Sequence, residues 1–264
     1  MITWLPGGAA LLVGGSLLWP ATGAVVALPV PPGAAVALGP AGAWFALAGD
    51  GAWRGGPTGE GAPLPSPFPA LPTDDHTLAH GFFHGLPTVV AVGRSTGEAA
   101  CVAWDGAAWA TPRAGCPAGD FAAIDAFGPI GRGGHWVSSH GEGHPGLALH
   151  TRRGRARTSP VADLYPFGPV TLHRGRGATV HFVTPCTLGE ARPCAGPDGA
   201  GPAADAPTAW WSWRPGRAPR LRAPVVPADF APAPRGGHGA WQRADGAVCV
   251  GRPGQADASC FSIP

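Results

Sequence analysis

The stretch that decides the fold is Val102–Pro112, VAWDGAAWATP, in which two short apolar runs are joined by Asp105-Gly106. An Asp-Gly pair tolerates positive φ at both turn positions, so it is a strong local signal for a β-hairpin. Similar short β-rich runs, separated by glycine-containing turns, recur along the whole chain. The sequence therefore predicts an all-β protein built from repeats.

Approximate copies of a three-strand meander can be recognised along the chain, and each closes on a proline. The six copies are Ala9–Pro31, Ala34–Pro57, Thr88–Pro112, His135–Pro160, the interrupted copy Thr179–Val183 with Ala209–Pro224, and Gly239–Pro264. Proline cannot donate to a β-ladder, so it suits the end or the edge of a sheet. Segments between the later copies could hold a fourth strand.

A four-strand unit of about 40–50 residues has the length of a propeller blade. We therefore predict a single-domain β-propeller over residues 1–264, with five or six blades and negligible helix. Two long stretches depart from the repeat and are expected as loop insertions, Thr58–Leu86 and Thr184–Thr208.

The segment Phe45–Pro63, FALAGDGAWRGGPTGEGAP, has an apolar strand, a turn at Asp-Gly, a second strand ending near glycine, and a glycine-rich exit. In this order it resembles a blade of the RCC1-like propellers, and Arg243–Cys249, RADGAVC, is similar. The resemblance implies a propeller fold. It also implies the role of an interaction scaffold, which most members of that family have.

Composition excludes several classes of partner. The 43 glycines and 33 prolines would be typical of disorder, but 45% hydrophobic residues and 11 tryptophans favour a packed core with many turns. The net charge is only +2, with 13% charged residues, so no strong field attracts nucleic acid. The apolar start Met1–Pro20 contains several glycines and two prolines, and we expect no membrane span.

The cysteines fall into three pairs that are close in sequence. These pairs are Cys101 with Cys116, Cys186 with Cys194, and Cys249 with Cys260. An even number in local pairs predicts disulfides, and hence an extracellular or periplasmic location. The alternative is six buried thiols in a reduced protein. A native, unprocessed start at Met1 would favour the cytoplasm.

Histidines are the strongest candidates for a ligand site. His76, His80 and His84 are spaced by four in HTLAHGFFH, and His140 and His144 flank the turn HGEGHPG. Positions four apart share a face of a helix or a straight strand, so the first three imidazoles could converge on a divalent metal. The alternative is that all five are polar loop side chains without a ligand.

Three aspartates each precede an apolar residue between the later repeats: Asp120, Asp163 and Asp229. If they begin the innermost strands of a propeller, they could ring its axial channel and bind a cation or a substrate. The alternative is that each carboxylate caps the start of a strand through hydrogen bonds to the backbone.

Motifs for nucleophilic catalysis, phosphate-binding loops and dinucleotide-binding fingerprints do not occur in the sequence. We therefore favour a non-catalytic binding or protein-interaction module, with a protein or glycan ligand held on the rim that the insertions share. One alternative is a metal-dependent or hydrolytic enzyme that uses the histidines and axial aspartates. Another is a structural subunit of a larger assembly.

Overall fold

The computed structural model describes most of the chain. The described residues are 2–5, 7–71, 76–93, 96–118, 123–130, 134–141, 144–151, 154–156, 171–177, 179–184, 208–214, 217, 219–253 and 257–263. Over these ranges the secondary structure consists of strands and two short 3-10 turns, Pro40–Gly42 and Phe68–Ala70. No helix in this part of the chain is long and apolar enough to span a membrane.

The strands form four-stranded antiparallel sheets, each a meander in which sequential strands are neighbours. Sheet 1 contains β1 (Ile2–Trp4), β2 (Leu11–Val13), β3 (Ser16–Trp19) and β4 (Ala24–Ala27). Sheet 2 contains β5 (Ala35–Leu38), β6 (Trp44–Ala48), β7 (Gly51–Gly55) and β8 (Gly61–Leu64). Sheet 3 contains β9 (His76–Phe83), β10 (Leu86–Gly93), β11 (Ala99–Trp104) and β12 (Trp109–Ala110).

The same meander recurs in the second half of the chain. Sheet 4 contains β13 (Ala123–Ile130), β14 (Gly134–Gly141), β15 (His144–Thr151) and β16 (Gly154–Ala156). Sheet 5 contains β17 (Thr171–Arg174), β18 (Val180–Thr184), β19 (Thr208–Trp213) and β20 (Arg220–Val226). Sheet 6 contains β21 (Ala231–Pro232), β22 (Gly239–Gln242), β23 (Val248–Gly251) and β24 (Ser259–Phe261).

A four-stranded antiparallel meander repeated along a chain is the blade of a β-propeller. The predicted fold class, an all-β propeller with five or six blades, is confirmed. The chain groups into two compact units: unit 1 is Met1–Val26 with Pro160–Pro264, and unit 2 is Ala27–Ser159. The assignment of residues 1–264 to one domain stays a prediction.

Each of the six meanders gains a strand that the repeat pattern did not include. In sheets 1, 3, 4, 5 and 6 the extra strand comes first, and in sheet 2 it is the last strand, β8. The stretch Thr58–Leu86 is therefore not one long loop, since it supplies β8 and all of β9. Prolines beside β8 and histidines within β9 obscured their alternation in the sequence. Most of Thr184–Thr208 lies outside the described residues.

The Asp105-Gly106 hairpin forms, but its turn is longer than two residues. Trp104 pairs with Trp109, so four residues connect β11 to β12. The Asp105 carboxylate accepts hydrogen bonds from the backbone N–H groups of Ala107 (2.8 Å) and Ala108 (2.9 Å), and these bonds lower its pKa. Gly106 takes the left-handed conformation (φ 112°) that the turn requires.

Two of the predicted disulfides are present. Cys249 and Cys260 are directly paired residues of β23 and β24, with Cα atoms 4.0 Å apart. Cys101 of β11 is bonded to Cys116, with Cα atoms 5.6 Å apart. The Cys186–Cys194 pair lies outside the described residues.

Unit 2 is held together by apolar packing between successive sheets. Phe45 of β6 is fully buried, and its ring meets the Phe82 ring of β9 edge-on at 6.4 Å. Val89 and Val102 of sheet 3 belong to the same cluster. On the other face of sheet 3, Val90 packs with residues of sheet 4. Sheet 3 is therefore covered on both faces.

Unit 1 joins the two ends of the chain. Trp4, in the first strand, donates its indole N–H to the carbonyl of Ala231, in the first strand of sheet 6, at 2.8 Å. Leu11 and Val248 are fully buried in the cluster around this contact. A second cluster centred on Trp210 and Phe230 joins sheets 5 and 6.

Replacing Phe45 by alanine tests the packing between sheets 2 and 3. We expect F45A to lower the free energy of unfolding by about 3–5 kcal/mol, because it leaves a cavity beside Phe82. The control is L78A on β9, whose side chain is 46% exposed. That change should cost less than about 1 kcal/mol. Equal losses for both variants in urea denaturation would contradict the packing argument.

Candidate functional site

The end of unit 2 at which β7 finishes and β8 begins carries a concave pocket of about 560 Å³. The antiparallel order brings the end of β9 and the start of β10 to the same pocket. Its lining includes Arg54, Glu60, Phe82, Gly85 and Pro87. A volume of this size is typical of sites for small molecules.

Glycines shape the wall of this pocket. Trp44, Gly55 and Gly61 are paired residues of β6, β7 and β8. The fully buried indole of Trp44 lies where a β-carbon on Gly55 or Gly61 would stand. Only glycine permits this close approach. The indole therefore packs against β7 and β8 and occupies the space beside Gly55 and Gly61.

Arg54 and Glu60 provide the charged groups of the pocket. Arg54 is exposed and is the direct partner of Ala62 in β8. Glu60 closes a tight turn in which the N–H of Gly56 donates to its carbonyl at 3.0 Å. The hydroxyl of Thr58 donates to the Glu60 carboxylate, and this bond lowers the pKa of that carboxyl. The pocket thus presents a guanidinium and an ionised carboxylate.

A cluster of histidines borders the pocket through the β9–β10 turn, which contains both His84 and Gly85. His84 has a positive φ of 50°, and its ring lies 4.4 Å from Phe83 and 5.1 Å from His135. His150, the direct partner of His135, stacks on it at 4.4 Å with 8° between the ring planes. A contact to the carbonyl of Ala118, at 2.9 Å, holds Nε2 of His150.

Burial, with the neighbouring charges of His150 and His84, lowers the pKa of His135 to about 3. His135 is therefore neutral across the physiological range. The lone pairs of an imidazole lie in the ring plane, so two stacked rings cannot direct them at one metal ion. In the part of the chain that the structure describes, no group of three or more His, Cys, Asp or Glu residues could hold a metal.

The predicted trio His76, His80 and His84 is not brought together. His76 and His80 belong to β9 and His84 follows it. Residues four apart on a strand are separated by about 13 Å. His80 is held instead by the carbonyl of Ala35, at 2.9 Å from Nε2, and its burial lowers its pKa.

Of the other predicted ligand residues, the structure describes the side chain of Asp229 only. His140 and His144 lie at the ends of β14 and β15 that their turn connects. The side chains of both histidines are outside the described part of the structure, and Asp120 and Asp163 are outside it as whole residues. Asp229 lies just before β21, and its carboxylate accepts the backbone N–H of Gln242 at 2.6 Å. This bond joins Asp229 to the last residue of β22, so the axial role and the strand-capping role considered for this aspartate both stay predictions.

The sequence did not identify Arg54 and Glu60 as site residues, or His135 and His150 as a pair. Arg54 and Glu60 are six positions apart with no recognisable motif between them. His135 and His150 become neighbours only through the register of the β14–β15 hairpin. The sequence predicts this histidine pair only if the register of the hairpin is known.

No family model and no curated protein sequence matches this chain, so the resemblance to RCC1-like propellers has no support beyond the fold. Among solved structures, AofleA from Arthrobotrys oligospora is similar with a TM-score of 0.52 at 13% identity, over 99% of this chain and 85% of AofleA. TolB from Acinetobacter baumannii is similar with a TM-score of 0.52 at 9% identity, over 98% of this chain and 64% of TolB. Such likenesses show the fold alone. The chain is a β-propeller protein.

The buried state of His135 makes stability depend on pH. The unfolded chain takes up a proton on this histidine near its ordinary pKa of 6.5, whereas the folded chain does so only near 3. Its contribution to stability is therefore complete above about pH 6.5 and declines as the pH falls below that value.

We expect the H135Q variant to lose less stability than the wild type between about pH 7.5 and about pH 4.5. Urea unfolding of both proteins at the two pH values measures this difference. The comparison at the higher pH isolates the packing effect of the substitution, since the histidine is then neutral in both states. An identical decline in the two proteins would show that His135 titrates normally.

Proposed function

We propose that this protein is a non-catalytic glycan-binding module, and that the pocket at the end of sheets 2 and 3 takes one sugar unit. The observation that carries the proposal is the placement of Arg54 and Glu60 in a concavity of about 560 Å³. A sugar unit matches a recess of that size, whereas a folded protein partner would need roughly 800 Å² of flatter surface on each side.

The charges of the pocket favour a neutral, polar ligand. A guanidinium offers several N–H donors in one plane, and a carboxylate offers only acceptors. Together Arg54 and Glu60 can bond to hydroxyl groups, which both donate and accept, and their opposite charges leave little net field. The Thr58 hydroxyl, which already donates to Glu60, holds the carboxylate in one position before a ligand arrives. Such preorganisation lowers the entropic cost of binding.

The apolar part of the pocket suits the carbon face of a sugar ring. Phe82 and Pro87 contribute to the lining, and both are buried, so a ligand would contact their edges rather than displace them. The Glu60 carboxylate supports binding better than hydrolysis, because its lowered pKa makes it a poor proton donor at neutral pH.

We further propose an extracellular or periplasmic location. Disulfides form and persist in oxidising compartments, and both Cys101–Cys116 and Cys249–Cys260 are formed. A glycan ligand is compatible with that location, since glycans are abundant on cell surfaces and in secreted material.

A glycan array probed with labelled protein tests the proposal, followed by calorimetry with any oligosaccharide that binds. We expect R54A and E60Q each to weaken binding by about tenfold, as expected for loss of a hydrogen bond to a charged group.

Arg113 supplies the matched control for these variants. It is exposed and follows β12, which runs away from the end of sheet 3 that carries the pocket. R113A removes the same charge and should leave glycan binding unchanged. The proposal fails if no glycan binds above background, or if R54A and E60Q bind as the wild type does.

A further inference from the structure

Sheet 5, in unit 1, carries a row of polar side chains across one face. His173 of β17 pairs with His181 of β18, His181 pairs with Ser212 of β19, and Ser212 pairs with Arg220 of β20. Directly paired residues of an antiparallel sheet project to the same face. The row therefore crosses all four strands, from buried histidines at one end to exposed arginine at the other.

Two more arginines join the exposed end of this row. Arg222 lies two residues beyond Arg220 on β20, next to an irregularity in the register, and its Nε donates to the hydroxyl of Ser212 at 2.7 Å. Arg214 follows β19, and its Nε donates to the hydroxyl of Thr179 at 2.6 Å. We call Arg214, Arg220 and Arg222 the arginine cluster.

The arginine cluster has no counter-ion among the residues that the structure describes. Among the residues that the structure describes, none of the three guanidinium groups forms an ion pair, whereas Arg243 of the same unit pairs with Asp245 at 3.2 Å. Burial, together with the charges of Arg220 and Arg214, lowers the pKa of Arg222. Three unneutralised cations on one face stabilise a bound anion.

The hydrogen bonds of the cluster leave its binding groups available. The hydroxyls of Ser212 and Thr179 accept only from Nε of Arg222 and Arg214. Among the described residues no hydrogen bond engages the terminal N–H₂ groups of these two side chains, which can form a bidentate fork. Ser212 is 95% buried, so it fixes the guanidinium of Arg222 from beneath. An arginine fork held in this way matches the oxygens of a sulfate or a phosphate group.

At the buried end of the row, the ring of His173 makes no hydrogen bond to the described atoms. His173 is 5% exposed, and neither of its ring nitrogens has a hydrogen-bond partner among the described atoms. Its neighbour His181 accepts the indole N–H of Trp210 at 3.2 Å on Nδ1. A buried imidazole without partners costs stability, and such groups persist where a site needs them.

We propose that the arginine cluster, with the polar row behind it, is a binding site for a tetrahedral oxyanion, a sulfate or phosphate group carried by a ligand. The site is separate in the chain from the pocket proposed for a neutral sugar. It uses sheet 5 of unit 1, whereas that pocket uses sheets 2 and 3 of unit 2.

Calorimetric titration with inorganic sulfate, and separately with inorganic phosphate, tests the site, with sodium chloride at equal ionic strength as the blank. We expect saturable binding to the wild type and a weakening of about fivefold or more in R220Q and in R222Q. The Arg220 side chain has no hydrogen bond among the described residues, so R220Q leaves the backbone pairing of β20 in place. The sulfate ester and the phosphate ester of one sugar then distinguish the two sources of the anion.

R243Q is the matched control, because it removes one exposed, ion-paired arginine from the same unit and should bind sulfate as the wild type does. No saturable binding overturns the proposal, as does equal binding by R220Q, R222Q and R243Q. The glycan proposal is tested independently, because R54A should retain sulfate binding and R220Q should retain binding of a neutral glycan.

Discussion

A four-stranded meander has two broad faces and cannot bury either of them alone, and this constraint governs the whole protein. Within unit 2, sheet 3 solves it by packing Phe82 and Val89 on one side and Val90 on the other. Within unit 1, sheet 6 is covered by the first strand of the chain on one side and by the Trp210 cluster on the other. The contact from Trp4 to Ala231 spans nearly the entire sequence, so unit 1 needs both ends of the chain to form.

The packing that builds the sheets also leaves the sites at their ends and edges. Trp44 can pack against β7 and β8 only because Gly55 and Gly61 face it, and all three residues line the pocket. In sheet 5, the buried hydroxyl of Ser212 accepts a hydrogen bond from Arg222. The two surfaces differ in charge, since Arg54 is balanced by Glu60 whereas the arginine cluster has no described counter-ion. This difference in charge is the reason that we propose different ligands for them, a neutral sugar and an oxyanion.

Histidine has a structural role in this protein that its spacing did not indicate. His135 and His150 stack as flat rings, and His181 is an acceptor for an indole N–H. Burial lowers the pKa of His135 and of His173 to about 3, so these side chains pack as neutral rings of intermediate polarity. Burial thus keeps these imidazoles uncharged within the packed sheets.

The sequence by itself determined the fold class, because turns at Asp-Gly and alternating apolar runs are local signals that act within a few residues. It also determined the pairing of Cys101 with Cys116 and of Cys249 with Cys260, since short hairpins bring close neighbours together. It did not determine the fourth strand of each sheet. In sheet 3 that strand is His76–Phe83, in which polar residues mask the apolar alternation and which depends on pairing with β10 to form. Only the tertiary structure decided the sites. Arg54 and Phe82 come to line one pocket through sheet stacking. His135 meets His150, and Ser212 meets Arg222, through strand pairing, and these are properties of the folded chain.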